Sequence, residues 1–235
     1  MTAPQPIPYT DGPTALTGLL ARPAGKPRGA IVVLPTIMNQ TPNALRRLPM
    51  LAEAGCLAFC ADLYGRQPAD RADAHALGTA LRADVTAFRA RIKAAVDTLA
   101  ALPEAQVLPL AAIGYCMGGQ AVLEAARMNL PLVLVASFHG ILTTGAPASQ
   151  PIRPRILVCH GDADPFVPRE QVAAFQQEMD AVGANWHLHV YAGVKHGFTD
   201  PEADSHGLPM LGYDASADRQ SWAALLGLWE ELCVQ

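Results

Sequence analysis

Short apolar runs alternate along this chain with longer segments whose apolar residues recur every three or four positions. Residues 30–34 (AIVVL), 57–61, 111–115, 132–138, 156–160 and 187–191 are short and largely apolar or β-branched, which predicts strands. The first several are apolar almost throughout, as central strands of a parallel sheet covered on both faces are. Between the runs, Val85, Phe88, Ile92, Val96 and Leu99 form one helical stripe. Val172, Phe175, Met179 and Val182 form a second, closed by Gly183, and Trp222, Leu225, Leu226, Trp229 and Leu232 a third. All three stripes predict helices packed on a core. The alternation of strand and helix points to an α/β chain: a mostly parallel sheet with helices on both faces.

Two Pro/Gly-rich stretches, 143–154 and 200–213, interrupt the pattern and are expected as surface loops. They follow candidate strands, where pockets of open α/β sheets form. Each is too short to separate domains, so residues 1–235 are expected to fold as one unit.

Composition narrows the class. A chain of 235 residues buries roughly three-quarters of its unfolded surface and needs no disulfide or metal to hold it. The net charge of −4 is spread among mixed acidic and basic residues, so no basic footprint for nucleic acid is present. Residues 1–10 lack a positive region followed by an apolar run, and no stretch nears ~18 apolar residues, so neither a secretory signal nor a membrane helix is expected. The five cysteines, Cys56, Cys60, Cys116, Cys159 and Cys233, are odd in number and contain no CxxC pair. That pattern fits reduced thiols in a cytoplasm. His187 and His189 share a strand face, but no carboxylate or cysteine completes a metal frame, so no metal is expected.

The candidate chemistry starts at Gly114-Tyr115-Cys116-Met117-Gly118-Gly119, between a predicted strand and a predicted helix. This is a nucleophile elbow, G-x-S-x-G, with cysteine in the serine position. The turn is so tight that positions two either side must lack bulky side chains. Residue 116 is projected at the start of the next helix, where free N–H groups favour a thiolate. A lone GxCxG is weak evidence, because buried cysteines are common in cores. Two segments nearer the C-terminus strengthen it. Asp162 and Asp164 lie in a turn after one strand, and His196 lies in a glycine-flanked loop after another. Nucleophile, acid, histidine is the chain order of α/β-hydrolases.

As a set, these residues resemble the dienelactone hydrolase family. Its marks appear here as G-x-C-x-G-G at Gly114 to Gly119, D-x-x-V-P from Asp164 to Pro168, and H-x-F at His196 to Phe198. The phrase Ala61-Asp62-Leu63-Tyr64 is similar to the family's PDLY. The resemblance runs from about residue 30 to the last helix. It implies an α/β-hydrolase fold and a cofactor-free hydrolase of small carboxylic esters or lactones. Cys116 would be the nucleophile, His196 the base and Asp164 the residue that orients it. The D-x-x-V-P frame selects Asp164, leaving Asp162 as a turn residue bonded to its own backbone. The oxyanion donors would be the backbone N–H groups of Met117 and, by likeness to the family's corresponding loop, Ile37.

Candidate pocket residues are Thr36, Tyr64, Arg66, His139 and Phe198. For Tyr64 and Arg66 the alternative is a surface cap, and for His139 a hydrogen-bonded structural role. Two positions depart from the family. Thr36 stands where related enzymes carry a glutamate, and Asp200 stands where those acting on dienelactone carry an arginine for the substrate carboxylate. The second departure points away from dienelactone towards another small ester, lactone or thioester. Two competing readings remain: a thiol-based redox sensor or binding module on a hydrolase scaffold, and a thioesterase or acyltransferase.

Overall fold

The computed structural model describes residues 3–233. In chain order the elements are β1 (Gln5–Asp11), β2 (Thr14–Ala21), β3 (Gly29–Leu34), α1 (Pro42–Leu45), α2 (Arg47–Glu53), β4 (Cys56–Cys60), α3 (Arg71–Ala83) and α4 (Val85–Ala100). They continue as β5 (Leu110–Tyr115), α5 (Met117–Arg127), β6 (Leu134–Phe138), β7 (Arg155–Gly161), α6 (Arg169–Ala181), β8 (Trp186–Tyr191) and α7 (Ala215–Cys233). A 3-10 turn, Ala203–His206, precedes α7.

All eight strands join one sheet in the order β1-β2-β4-β3-β5-β6-β7-β8. From β4 to β8 neighbouring strands are parallel, while β2 runs antiparallel to both β1 and β4. The six strands read from apolar runs are β3 to β8, with ends displaced by one or two residues. The β1–β2 hairpin is new. Pro6 and Pro8 break the apolar run in β1, and proline is tolerated there because β1 is a sheet edge. Its two-residue turn holds Gly12 at φ +53°, a backbone conformation that favours glycine.

Side chains alternate across the sheet and sort into two cores. Val32, Leu34, Leu57, Phe59, Ala112 and Val135 face α4, α5 and α6, whose Ile92, Val96, Val122 and Phe175 lie in the same cluster. Ile31, Val33, Ala58, Ile113, Ala136 and Leu157 face α2 and α7, which contribute Leu48, Leu51, Leu225 and Trp229. The three predicted stripes are α4, α6 and α7. Helix α3 had no such stripe. It is rich in alanine and buries only Ala74 and Gly78, so it lies on the molecule by its small residues. Among the described residues no helix is long and apolar enough to cross a membrane.

Parallel strands carry their outgoing turns at one end of the sheet. The turns after β3, β5, β6, β7 and β8 therefore converge on one edge, and the candidate residues lie in them.

Candidate active site

Cys116 sits between β5 and α5 with φ 55° and ψ −115°, an uncommon conformation for a non-glycine residue. The crowding that forces it is measurable. A Cβ on Gly114 would lie 1.9 Å from the Gly118 carbonyl oxygen, and one on Gly118 would lie 1.9 Å from that of Leu34. Both glycines are required by close backbone approach. The Cys116 N–H donates to Phe138 O at 3.1 Å, which ties the elbow to the neighbouring strand end.

The acid and the histidine are brought together by backbone ties between their loops. Asp162 N–H donates to Tyr191 O and Ala163 N–H to Val194 O, each at 2.9 Å. Asp164 Oδ2 then lies 2.7 Å from His196 Nδ1, while its Oδ1 accepts the Phe166 N–H at 2.9 Å. Both residues are buried. The 200–213 stretch is the loop expected there and more: Met210 O accepts the His196 N–H at 3.2 Å, and Gly212 N–H donates to His196 O at 3.1 Å. That loop clamps the histidine backbone from both sides.

Asp162 does not bond its own backbone as expected. Its carboxylate makes a two-bond pair with Arg169 at 2.9 and 2.7 Å, because Arg169 starts α6 beside it. The pairing holds its carboxyl below the usual range and keeps it away from His196.

Electrostatics couple the three residues. Burial works against ionisation of the Cys116 thiol, but the His196 charge and hydrogen bond, the Met117 N–H and the Arg82 charge outweigh it. The thiol is therefore held below its ordinary value. For His196, burial again opposes the charge, and the Cys116 and Asp164 partners overcome it, raising its imidazole to about 10. Each of the two favours the charged form of the other.

Of the proposed oxyanion donors, Met117 N–H opens α5 directly after Cys116 and favours the thiolate. Ile37 lies in the turn after β3, and its N–H meets no acceptor among the described residues. The five pocket candidates separate. Tyr64 is half-buried at the site, its hydroxyl 3.7 Å from Met117 Sδ. Thr36 accepts the Met38 N–H at 3.1 Å through its hydroxyl and so shapes the oxyanion turn. Arg66 is turned away, paired with Asp73 at 2.6 and 2.7 Å on an exposed surface. Phe198 has no exposed surface; it packs on His139 and Tyr191 within the core and does not line an opening. His139 is likewise buried, its Nε2 2.9 Å from Thr199 Oγ1. His187 is engaged with Arg155 at 3.2 Å. No metal-binding cluster occurs among the described residues.

Three residues at the site carried no sequence signal. Phe166, 45% exposed, stands edge-on to His196 with ring centroids 5.0 Å apart. Gly78 brings α3 against Ile37, Met117 and Tyr64, whose atoms a Cβ there would meet at 3.1–3.2 Å. Half-buried Arg82, one turn further on, donates to Gly78 O at 3.0 Å and pairs with no carboxylate among the described residues. Asp200 points into its own loop, accepting the Glu202 N–H at 3.0 Å. Its other oxygen, Oδ2, lies 3.8 Å from His206 Nε2.

Residues 16–232 match the model of the dienelactone hydrolase family. Over 210 residues, 84% of each chain, the protein is 28% identical to a probable 2-oxo-3-(5-oxofuran-2-ylidene)propanoate lactonase of Bradyrhizobium sp. Among solved structures it is similar to the dienelactone hydrolase-like promiscuous phosphotriesterase P91 from metagenomic libraries: 35% identity, TM-score 0.91, covering 98% of this chain and 99% of that one. It is also similar to m3DLH, with 37% identity and a TM-score of 0.92, covering 97% of this chain and 98% of that one.

Proposed function

The chain belongs to the dienelactone hydrolase family and is an α/β-hydrolase acting on esters or lactones; from that premise we propose that it is a cofactor-free hydrolase of small carboxylic substrates working through Cys116, His196 and Asp164. The observation that carries the reading is the pairing of a strained elbow cysteine, its thiol pKa lowered, with a histidine held at 2.7 Å by a buried aspartate.

The chemistry is set by these groups. The thiolate attacks the carbonyl carbon, forming the C–S bond and an oxyanion held by the Met117 and Ile37 N–H groups, each worth ~3 kcal/mol in such sites. Collapse expels the alkoxide, which takes the proton from the His196 imidazolium. A water molecule then attacks the thioester, giving its proton to His196, and the acid leaves as the thiolate is restored. Asp164 holds the tautomer and stabilises the charged ring throughout. No step calls for a cofactor. The protein acts as a single domain of residues 1–235. We place it in the cytoplasm, supported by five cysteines that are all unpaired.

The test is multiple-turnover hydrolysis of p-nitrophenyl acetate by the wild type and by Cys116→Ala. Many turnovers by the wild type, with the variant down roughly 10⁴-fold or more, is the expected result. Equal rates, or one stoichiometric burst, would overturn the hydrolase mechanism and favour a thiol sensor. That sensor reading is weakened by position: Cys56, Cys60 and Cys159 are buried in strands, and Cys233 ends α7. The likeness to P91 adds an activated phosphate triester as a second substrate to assay, attacked at phosphorus by the same thiolate.

A further inference from the structure

His139 follows β6 with φ +40°, in a conformation that costs energy for any residue with a Cβ. Its N–H donates to Cys159 O at 2.9 Å, and the preceding carbonyl accepts the Cys116 N–H. The backbone at this point is therefore tied at once to β7 and to the elbow. Its ring is buried, perpendicular to His196 at 71° with centroids 5.0 Å apart. Phe166 meets the same imidazole at 82° and 5.0 Å. One buried ring and one exposed ring thus bear on His196.

The buried ring is itself held from outside the site. His139 Nε2 lies 2.9 Å from Thr199 Oγ1, and Thr199 has no exposed surface. The Thr199 carbonyl accepts a hydrogen bond from the Arg46 guanidinium, and Arg46 pairs with Asp218 on α7 at 2.8 Å. Asp218 also holds Arg47 at 2.5 Å, and the Arg47 guanidinium sits 5.3 Å from the Tyr115 ring beside His139. Strand end, histidine loop, α2 and α7 close on this one imidazole.

We propose that His139 is a positioning residue for His196: with Phe166 it fixes the plane of the imidazole, and through Thr199, Arg46 and Asp218 it anchors that plane to α2 and α7. The inference rests on the proposed role of His196 as base. A phenylalanine would fill similar space but would leave the buried Thr199 hydroxyl without its partner. Asp164 holds Nδ1 and Cys116 acts on the other side of the ring, which leaves tilt about the line between them to be restrained by the flanking rings. His139 carries no proton in the reaction. Burial, then the charges of His196 and Arg47, hold its pKa well below the ordinary histidine value. The charged or titratable groups facing it are His196, Arg47 and Tyr115, with Asp218 behind Arg47.

The experiment compares wild type, His139→Phe, His139→Ala and Thr199→Val. It reads kcat and KM on p-nitrophenyl acetate across pH, thermal stability, and the downfield NMR signal of the His196 Nδ1 proton. His139→Ala is expected to lower kcat by about 10- to 100-fold with KM within about twofold, and to broaden the Nδ1 signal while the protein remains folded. His139→Phe should recover part of that loss because it restores a ring, and Thr199→Val should show a smaller loss of the same kind. If His139→Ala does not fold, His139→Phe and Thr199→Val carry the same readouts. A folded variant with kcat within twofold and an unchanged Nδ1 signal overturns the proposal. So does a loss of kcat that only tracks the folded fraction. The Nδ1 signal needs no turnover, so a wild type inactive on esters would count against the proposed function and leave this inference to be judged on the signal.

Discussion

Cys116, partly buried at the start of α5, and Cys159, buried within β7, are pushed in opposite directions by their surroundings. Cys159 is inside β7, facing the α2–α7 core, and burial drives its thiol up to about 12. Cys60, at the end of β4, is likewise driven to about 12 by burial and then by Asp62. Cys116 meets the same desolvation but ends below its ordinary value. Desolvation acts on all three. What differs is that Cys116 leaves the strand at a strained turn, at the start of α5, where the Met117 N–H, His196 and Arg82 bear on the sulfur. The turn favours the thiolate, and the strand interior suppresses it.

The sharpest way to break this contrast is to remove each thiol. Cys116→Ala should cost roughly 10⁴-fold or more in kcat, while Cys159→Ala should change activity little and register as lower thermal stability. Next in size, Asp164→Asn should lower kcat by roughly 10³- to 10⁴-fold, because the tautomer and the charge on His196 both lose support. Asp162→Asn, two residues away, should leave kcat within about twofold; a large loss there would mean the wrong acid has been assigned. Alkylation by iodoacetamide in the native protein should favour Cys116 and rise with pH through a limb below the ordinary thiol value, with partly exposed Cys233, driven to about 11, reacting more slowly. The sign is set by the pair: His196⁺ stabilises the thiolate, so neutralising or removing His196 moves that limb up. Cys60 and Cys159 should label only after unfolding. The smallest effect belongs to Arg82→Gln, which should move the Cys116 limb slightly upward, less than loss of His196 does, with little change in stability. An unchanged limb would remove Arg82 from the set of groups that hold the thiolate.

Local constraint made much of the site legible. The elbow needs glycines at 114 and 118 whatever the rest of the chain does, because the clash they avoid is with backbone only a few residues away or in the adjacent strand. The D-x-x-V-P frame singled out Asp164, which meets His196, while Asp162 binds Arg169. The central strands were legible because burial on both faces leaves an unbroken apolar run. The β1–β2 hairpin was not, since an edge strand tolerates Pro6 and Pro8 and need not be apolar. Arg66 and Phe198 were drawn to the site by proximity in sequence and are held elsewhere, by Asp73 and by the core.

The amino-acid sequence by itself determined the strand–helix alternation, the elbow and the chain order of Cys116, Asp164 and His196; the reaction class came from their resemblance to the dienelactone hydrolase family. Those features rest on periodicity and on short-range steric demands, which any fold of this chain must meet. Tertiary structure alone decided that Gly78 of an alanine-rich helix packs against Ile37, Met117 and Tyr64, that the charge of Arg82 bears on Cys116, that Phe166 and His139 flank His196, and that Asp200 turns into its own loop. These are contacts across the ends of different strands. No local pattern encodes them, because the residues meet only after a parallel sheet has gathered its outgoing turns along one edge.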